Sequence, residues 1–207
     1  MINMRYSKEI KIIIYAACLL PVFLFYLDKV IVMWMKYSFK YMEMHRLFKY
    51  IDPCVDIAGN GLTLILFAFV FFLFGKYVND RYYNVGKSLL AVLLTAGLVV
   101  QVLKHLVGRA RPRVTLDSVF IGPSFQGSYD SFPSGHTVMV FCLAYVLSRH
   151  FPKYNIIFYL VACIVGLDRV IDSSHFASDV LAGMIIGLVV AKILSEKTAP
   201  LKVSAPQ

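Results

Sequence analysis

Three short segments carry the side chains most able to do chemistry. They read Lys104-x6-Arg111-Pro112, then Pro133-Ser134-Gly135-His136, then Arg169-x5-His175-x3-Asp179. They supply three cations, two histidines and one carboxylate, all beside or inside apolar runs. That inventory can bind a phosphate, attack it and protonate its leaving group. A charged group at the edge of a membrane span is costly and points to function by default.

The second segment begins with Pro133, which keeps the preceding residue extended, followed by Ser134, a favoured helix N-cap. Gly135 lets backbone approach a ligand closely, and free N–H groups at a helix start attract anions. His136 then lies in the first turn. Alone, this pattern is equally a capped helix with an incidental histidine. In the third segment the i, i+4 spacing puts His175 and Asp179 on one helical face. A carboxylate accepting a proton from one ring nitrogen frees the other as a nucleophile. The same spacing also suits two metal ligands or a buried hydrogen-bonded pair.

Lys104, Arg111 and Arg169 need an anionic partner or water so close to a span. Guanidinium groups match phosphate oxygens in bidentate geometry. Arg111 precedes Pro112 and is biased away from helix, towards a loop start. Arg109 and Arg113 flank the site as solvated or headgroup-facing cations, with direct contact to substrate as the alternative. Taken together, three cations neutralise a phosphate without a divalent metal, one histidine attacks and the other donates a proton.

The elements that position these groups are membrane helices. The chain of 207 residues is 59% hydrophobic and 16% charged, with a mean hydropathy of +0.70. Soluble domains are about 45–50% apolar and about 25% charged. The length allows one domain, residues 1–207, with motifs from 104 to 179. The formal charge of +9 fits cytoplasmic loops and anionic headgroups. No basic run with interleaved aromatics suggests nucleic acid, and the four cysteines match neither a metal knuckle nor a disulfide framework.

Six spans are expected, near residues 10–27, 57–75, 88–103, 134–148, 155–167 and 176–194, with Pro21 disturbing the first. Basic residues precede the first, as in a signal sequence, but no clear cleavage site follows, so it reads as a retained span. The last three apolar cores reach full length only if motif residues form their ends. Residues 31–50 mix Trp34, Met33, Met35 and Phe39 with Lys36, Lys40, Arg46 and Lys49. This is the composition of an interfacial amphipathic helix, serving as a membrane anchor or as a platform for an anionic headgroup. Residues 196–207 form a short polar tail. With motif cations and the amphipathic segment set aside, basic residues favour both termini inside the cell. All three motifs then fall together on the opposite side.

The order, internal spacing and placement of the three motifs resemble the signature of the type 2 phosphatidic acid phosphatase family. That family also includes vanadium haloperoxidases and bacterial acid phosphatases. The resemblance covers Lys104 to Asp179 by motif and most of the chain by its six-span plan. It implies an all-α helical-bundle core and a phosphohistidine mechanism with no cofactor and no metal. It casts His175 as nucleophile, Asp179 as its orienting partner and His136 as general acid. Lys104, Arg111 and Arg169 become the phosphate clamp, joined by the Ser134 hydroxyl and the Gly135 N–H. The third motif usually begins Ser-Arg, and here it is Asp168-Arg169. Asp168 either faces the site and weakens anion binding, or faces a neighbour and orients Arg169.

Small members of the family act on lipid phosphates at the outer face of the bacterial inner membrane. The implied substrates are lipid A 1-phosphate, undecaprenyl pyrophosphate, phosphatidylglycerol phosphate and phosphatidic acid. The partner is thus a phosphorylated membrane lipid, with no obligate protein partner evident. The competing readings are a lipid phosphotransferase using the same phosphohistidine, a non-catalytic anion-binding membrane protein, and a metal hydrolase.

Overall fold

The computed structural model describes residues 8–41 and 44–198. The regular structure among them is helical, with one isolated bridge between Arg109 and Phe120. Helix α1 (Lys8–Val22) contains Pro21 and leads into a π-helical segment, Phe23–Leu27, then α2 (Asp28–Tyr41). The expected disturbance at Pro21 is therefore a local change of hydrogen-bond register just beyond the proline, which has no N–H to donate. The apolar helix does not stop at Leu27, and its candidate span is Ile10–Ser38.

Helices α3 (Met44–Gly59), α4 (Gly61–Val78), α5 (Asp80–Val107), α6 (Gly135–His150), α7 (Asn155–Ile171) and α8 (Ala177–Thr198) follow. Asn60 and Asn79 start α4 and α5 by accepting bonds from backbone N–H groups in the first turn. The expected bounds shift accordingly. The second span begins at Gly61 rather than Ile57, and the third at Asp80 rather than Ser88.

One expectation, the span count, needs correction. Of the expected amphipathic segment, residues 31–41 lie in α2, which continues the first apolar helix, and residues 44–50 in α3. Met42 and Glu43 lie outside the described residues, as does the expected polar tail beyond Thr198. Among the described residues, five helices rather than six are long and apolar enough to cross a membrane. The exception is α6, with 16 residues. It is the central helix, with Val138, Val140, Cys142, Ala144, Tyr145 and Val146 all buried. It packs against α5, α7 and α8, so protein rather than lipid surrounds most of it. The outer helices instead present Phe25, Tyr77, Leu98 and Ile156 outward, as lipid-facing surfaces do.

Small residues set the helix spacing. A Cβ at Gly187 of α8 would stand 2.7 Å from the Val138 carbonyl oxygen of α6, so only glycine permits this approach. At the end of α5, Gly108 takes a left-handed φ of 57° and caps the helix by donating to the Lys104 carbonyl. The connection from Gly108 to Ser134 folds back on itself. Ala110 N–H donates to Val119 O, Arg111 N–H to Ser128 O, and Ser131 N–H to Arg109 O. Those bonds lock the first motif against the approach to the second.

Candidate active site

The ends of four helices converge. Lys104 ends α5, Gly135 and His136 begin α6, Arg169 is in the last turn of α7, and Asp179 is in the first turn of α8. Antiparallel neighbours bring these termini to one end of the bundle. A cavity of about 340 Å³ opens there, lined by Lys104, Arg111, Arg113, Arg169, His136 and His175. Asp52 and Asp56 of α3, with Asp172 and Ser174, complete its wall. The motifs separated along the chain therefore share one chamber.

His175 sits in the turn between α7 and α8 and is 3% exposed. Its Nδ1 lies 2.7 Å from the Ser131 carbonyl oxygen. A carbonyl can only accept, so Nδ1 carries the proton and Nε2 of the neutral ring keeps its lone pair. Burial holds the imidazole below its ordinary pKa, outweighing the favourable charge of Asp179. The neutral, nucleophilic form is the one this environment favours.

Asp179 was expected to accept that Nδ1 proton. Its Oδ2 stands 3.8 Å from Nδ1, beyond hydrogen-bond range, so the Ser131 carbonyl orients the ring instead. Asp179 is fully buried and otherwise engaged. Oδ2 accepts from Ser131 Oγ at 2.6 Å and Phe176 N–H at 2.8 Å. Oδ1 accepts from Arg109 Nη1 at 2.5 Å. Asp179 thus lies beside His175 without bonding to it and anchors the Ser131 hydroxyl.

Arg109, expected to be solvated, is fully buried. Besides Asp179, it pairs with Asp28 Oδ2 at 2.7 Å and donates to Ser178 Oγ and Ser118 Oγ. Its guanidinium also lies 4.2 Å from the Phe176 ring centroid. A buried cation needs such pairing. Both Nη atoms have it, Nε alone is left without a hydrogen-bond partner, and the residue is not part of the cavity wall.

The cations expected to clamp a phosphate are each held by carboxylates. Arg111 makes a two-point contact with Asp130, Nε to Oδ1 at 2.7 Å and Nη2 to Oδ2 at 2.8 Å. Lys104 Nζ is 3.5 Å from the same carboxylate. Burial pushes the Asp130 carboxyl up, but the Arg111 bonds and the charges of Lys104 and Arg111 outweigh it and hold it below its usual range. Asp130 is not part of the cavity wall, so it grips both cations from behind.

Arg169 contacts Asp56 at 2.7 Å and Asp52 at 3.0 Å. It also pairs with Asp168 through Nε and Nη2. Asp168 is buried and away from the cavity wall, so the residue replacing the usual serine orients Arg169 rather than facing the site. Asp56 Oδ1 also lies 3.0 Å from His136 Nε2. Arg113 faces the cavity, held by Asp172 and Ser174 at 2.8 and 2.6 Å.

Ser134 and Gly135 are placed differently from the other motif residues. Ser134 is fully buried and its hydroxyl accepts from Thr137 Oγ1 at 2.9 Å. Its N–H donates to the Asp179 carbonyl. A Cβ at Gly135 would lie 3.7 Å from Lys104 Cε, so this backbone runs beside the clamp lysine.

The match to known proteins falls on this set of helix ends. The model of the PAP2 superfamily matches residues 86–199, which contain all three motifs. The chain belongs to the PAP2 superfamily. Among its relatives is a lipid A 1-phosphatase of Rhizobium etli, 35% identical over 106 residues, covering 50% of this chain and 46% of that protein. Phosphatidylglycerophosphatase B of Bacillus subtilis is 35% identical over 115 residues, covering 50% of this chain and 53% of the relative. The chain thus spans about half the length of these relatives. The crystal structure of a transmembrane PAP2-type phosphatidylglycerolphosphate phosphatase from Bacillus subtilis superposes with a TM-score of 0.64 at 25% identity. That superposition covers 92% of this chain and 95% of that one. The PAP2 match begins at Gly86, so Asp28, Asp52 and Asp56 come from helices outside it.

Proposed function

We propose that this PAP2 protein hydrolyses a phosphate monoester or diphosphate on a membrane lipid headgroup, through a phosphohistidine and without a divalent metal. The observation that carries this reading is the 2.7 Å contact of His175 Nδ1 with Ser131 O, which leaves Nε2 free inside a cavity walled by four cations. Nε2 attacks phosphorus while the bond from phosphorus to the lipid oxygen breaks. Burial and the charge of Arg169 hold His136 neutral before substrate enters. The entering phosphate anion favours its protonated form, which gives its proton to the departing alkoxide. The now neutral His136 takes a proton from water, whose oxygen attacks phosphorus and displaces His175, releasing inorganic phosphate. Lys104, Arg111, Arg113 and Arg169 stabilise charge on the equatorial oxygens.

The substrate classes are those named by the relatives and by the family: lipid A 1-phosphate, phosphatidylglycerol phosphate, phosphatidic acid and undecaprenyl pyrophosphate. The protein sits in the bacterial cytoplasmic membrane with both termini inside and the cavity facing outward. The bias of basic residues supports that orientation.

The test is phosphate release by purified protein in detergent with chelator present, across those four lipids, with His175→Ala beside it. Release from at least one lipid, lost in the variant, is the expected result. Retained activity in His175→Ala would overturn the phosphohistidine, and loss on chelation restored by one divalent ion would overturn the metal-free clamp.

A further inference from the structure

Asp28 lies within the apolar helix that spans Ile10–Ser38, far from any motif in sequence and outside the superfamily match. It is 2% exposed. Its Oδ2 accepts from Arg109 Nη2 at 2.7 Å and from Ser178 Oγ at 2.5 Å. Its Oδ1 accepts from Ser178 N–H at 2.9 Å. Arg109 in turn bonds Asp179, beside His175. A carboxylate from the first helix is thus one end of a buried chain that ends at the reactive imidazole.

We propose that Asp28 is a positioning residue for the phosphoryl transfer, tuning the charge available to His175 through Arg109 and Asp179. The inference rests on His175 being the nucleophile. Two buried carboxylates share one guanidinium, so the cluster keeps one uncompensated negative charge. When Nε2 bonds to phosphorus while Nδ1 keeps its proton, the ring becomes cationic. That charge is resisted by Lys104 of α5, Arg111 of the loop and His136 of α6. The excess negative charge of the Asp28–Arg109–Asp179 cluster offsets it. If Asp28 were neutral, the charge of Arg109 would fall on Asp179 alone and cancel it. Because the cluster is sealed from water, it is screened little.

The test compares Asp28→Asn, which keeps shape and loses charge, with Asp28→Glu, which keeps charge and loses fit. Lys29→Ala, the next residue on the same helix, serves as a control, because it removes only an exposed pair with Asp117 of the α5–α6 connection. Each folded, size-exclusion-purified protein is mixed with short-chain phosphatidic acid labelled on its phosphate. The acid-labile, base-stable phosphoprotein is then followed in time.

The expected result is that Asp28→Asn slows phosphoprotein formation by about tenfold or more with little change in KM. Asp28→Glu retains more of the rate, and Lys29→Ala matches the unaltered protein. Phosphoprotein formation in Asp28→Asn at the unaltered rate overturns the proposal, as does Asn outperforming Glu. Should Asp28→Asn yield no folded protein, the Glu variant alone decides. A rate near that of the unaltered protein supports the charge role, and a loss of about tenfold or more overturns it. No phosphoprotein in an unaltered protein that does release phosphate from this lipid would instead sink the histidine nucleophile, which separates the two failures. If phosphatidic acid is not hydrolysed, the same labelling is run with whichever of the four lipids is.

Discussion

Ser131 holds His175 by its backbone and Asp179 by its side chain: the carbonyl takes the Nδ1 proton at 2.7 Å and the hydroxyl donates to Oδ2 at 2.6 Å. One residue therefore sets both the tautomer of the imidazole and the place of the carboxylate beside it. Ser131→Ala keeps the first contact and removes the second. The loss of one buried bond to a charged group is about 1.5–3 kcal/mol, so kcat/KM should fall roughly ten- to a hundredfold. A variant with unaltered kinetics would show that Asp179 needs no support from this hydroxyl.

The pH profile follows from His175. Burial lowers its pKa below the ordinary value of 6.5. The attacking form is the neutral one, which dominates above that lowered pKa. Activity should therefore persist as the pH drops through 6.5 and fall only below it. An acid limb of kcat/KM centred above that value would contradict the assignment.

His136→Ala should separate leaving groups. An alkoxide leaves badly without a proton, whereas a nitrophenolate needs little help. The loss with a lipid phosphate should be about 100-fold or more, and much smaller with a nitrophenyl phosphate, on the usual scale of general-acid catalysis. Equal losses with both substrates would remove His136 from that role.

Asp130→Ala should loosen Arg111 and Lys104 together, because the carboxylate grips both from behind the cavity. KM is expected to rise by about tenfold, the scale of one charge-assisted hydrogen bond. A lower KM would mean that Asp130 competes with the phosphate rather than presenting its binders.

Asp168→Ser restores the residue usual at this position. Since Asp168 faces Arg169 and not the cavity, phosphate affinity should stay the same or fall. Competitive inhibition by inorganic phosphate measures this directly, and tighter inhibition in the variant would place the carboxylate in the site after all.

Much of this was legible in the chain because the motifs are local. Lys104 and Arg111, or His175 and Asp179, are separated by only one or two helical turns or a short loop, so their spacing encodes their convergence. Span existence was legible for the same reason, since apolar runs speak for themselves. Span ends were less so: Asn60 and Asn79 are good N-caps, and reading them as such would have moved two boundaries. The length criterion failed at α6 because its neighbours bury it.

The supporting carboxylates were not legible. Asp28 meets Ser178 across 150 positions and Asp52 meets Arg169 across 117, and no local pattern announces such pairs. Asp28 alone gave a signal, as a charge inside an apolar run. Arg109 was misjudged because a cation next to a clamp arginine has the same composition whether it faces water or a buried carboxylate.

The carboxylates of α3 bear on the end of the catalytic cycle. Asp52 and Asp56 already touch Arg169, and Asp56 also reaches His136. Whatever anion enters must displace them, and whatever anion remains after hydrolysis meets them again on the way out. A lipid phosphate brings its anchorage in the bilayer to that contest, whereas free inorganic phosphate brings none. On the proposed mechanism, free inorganic phosphate should therefore be a weak product inhibitor.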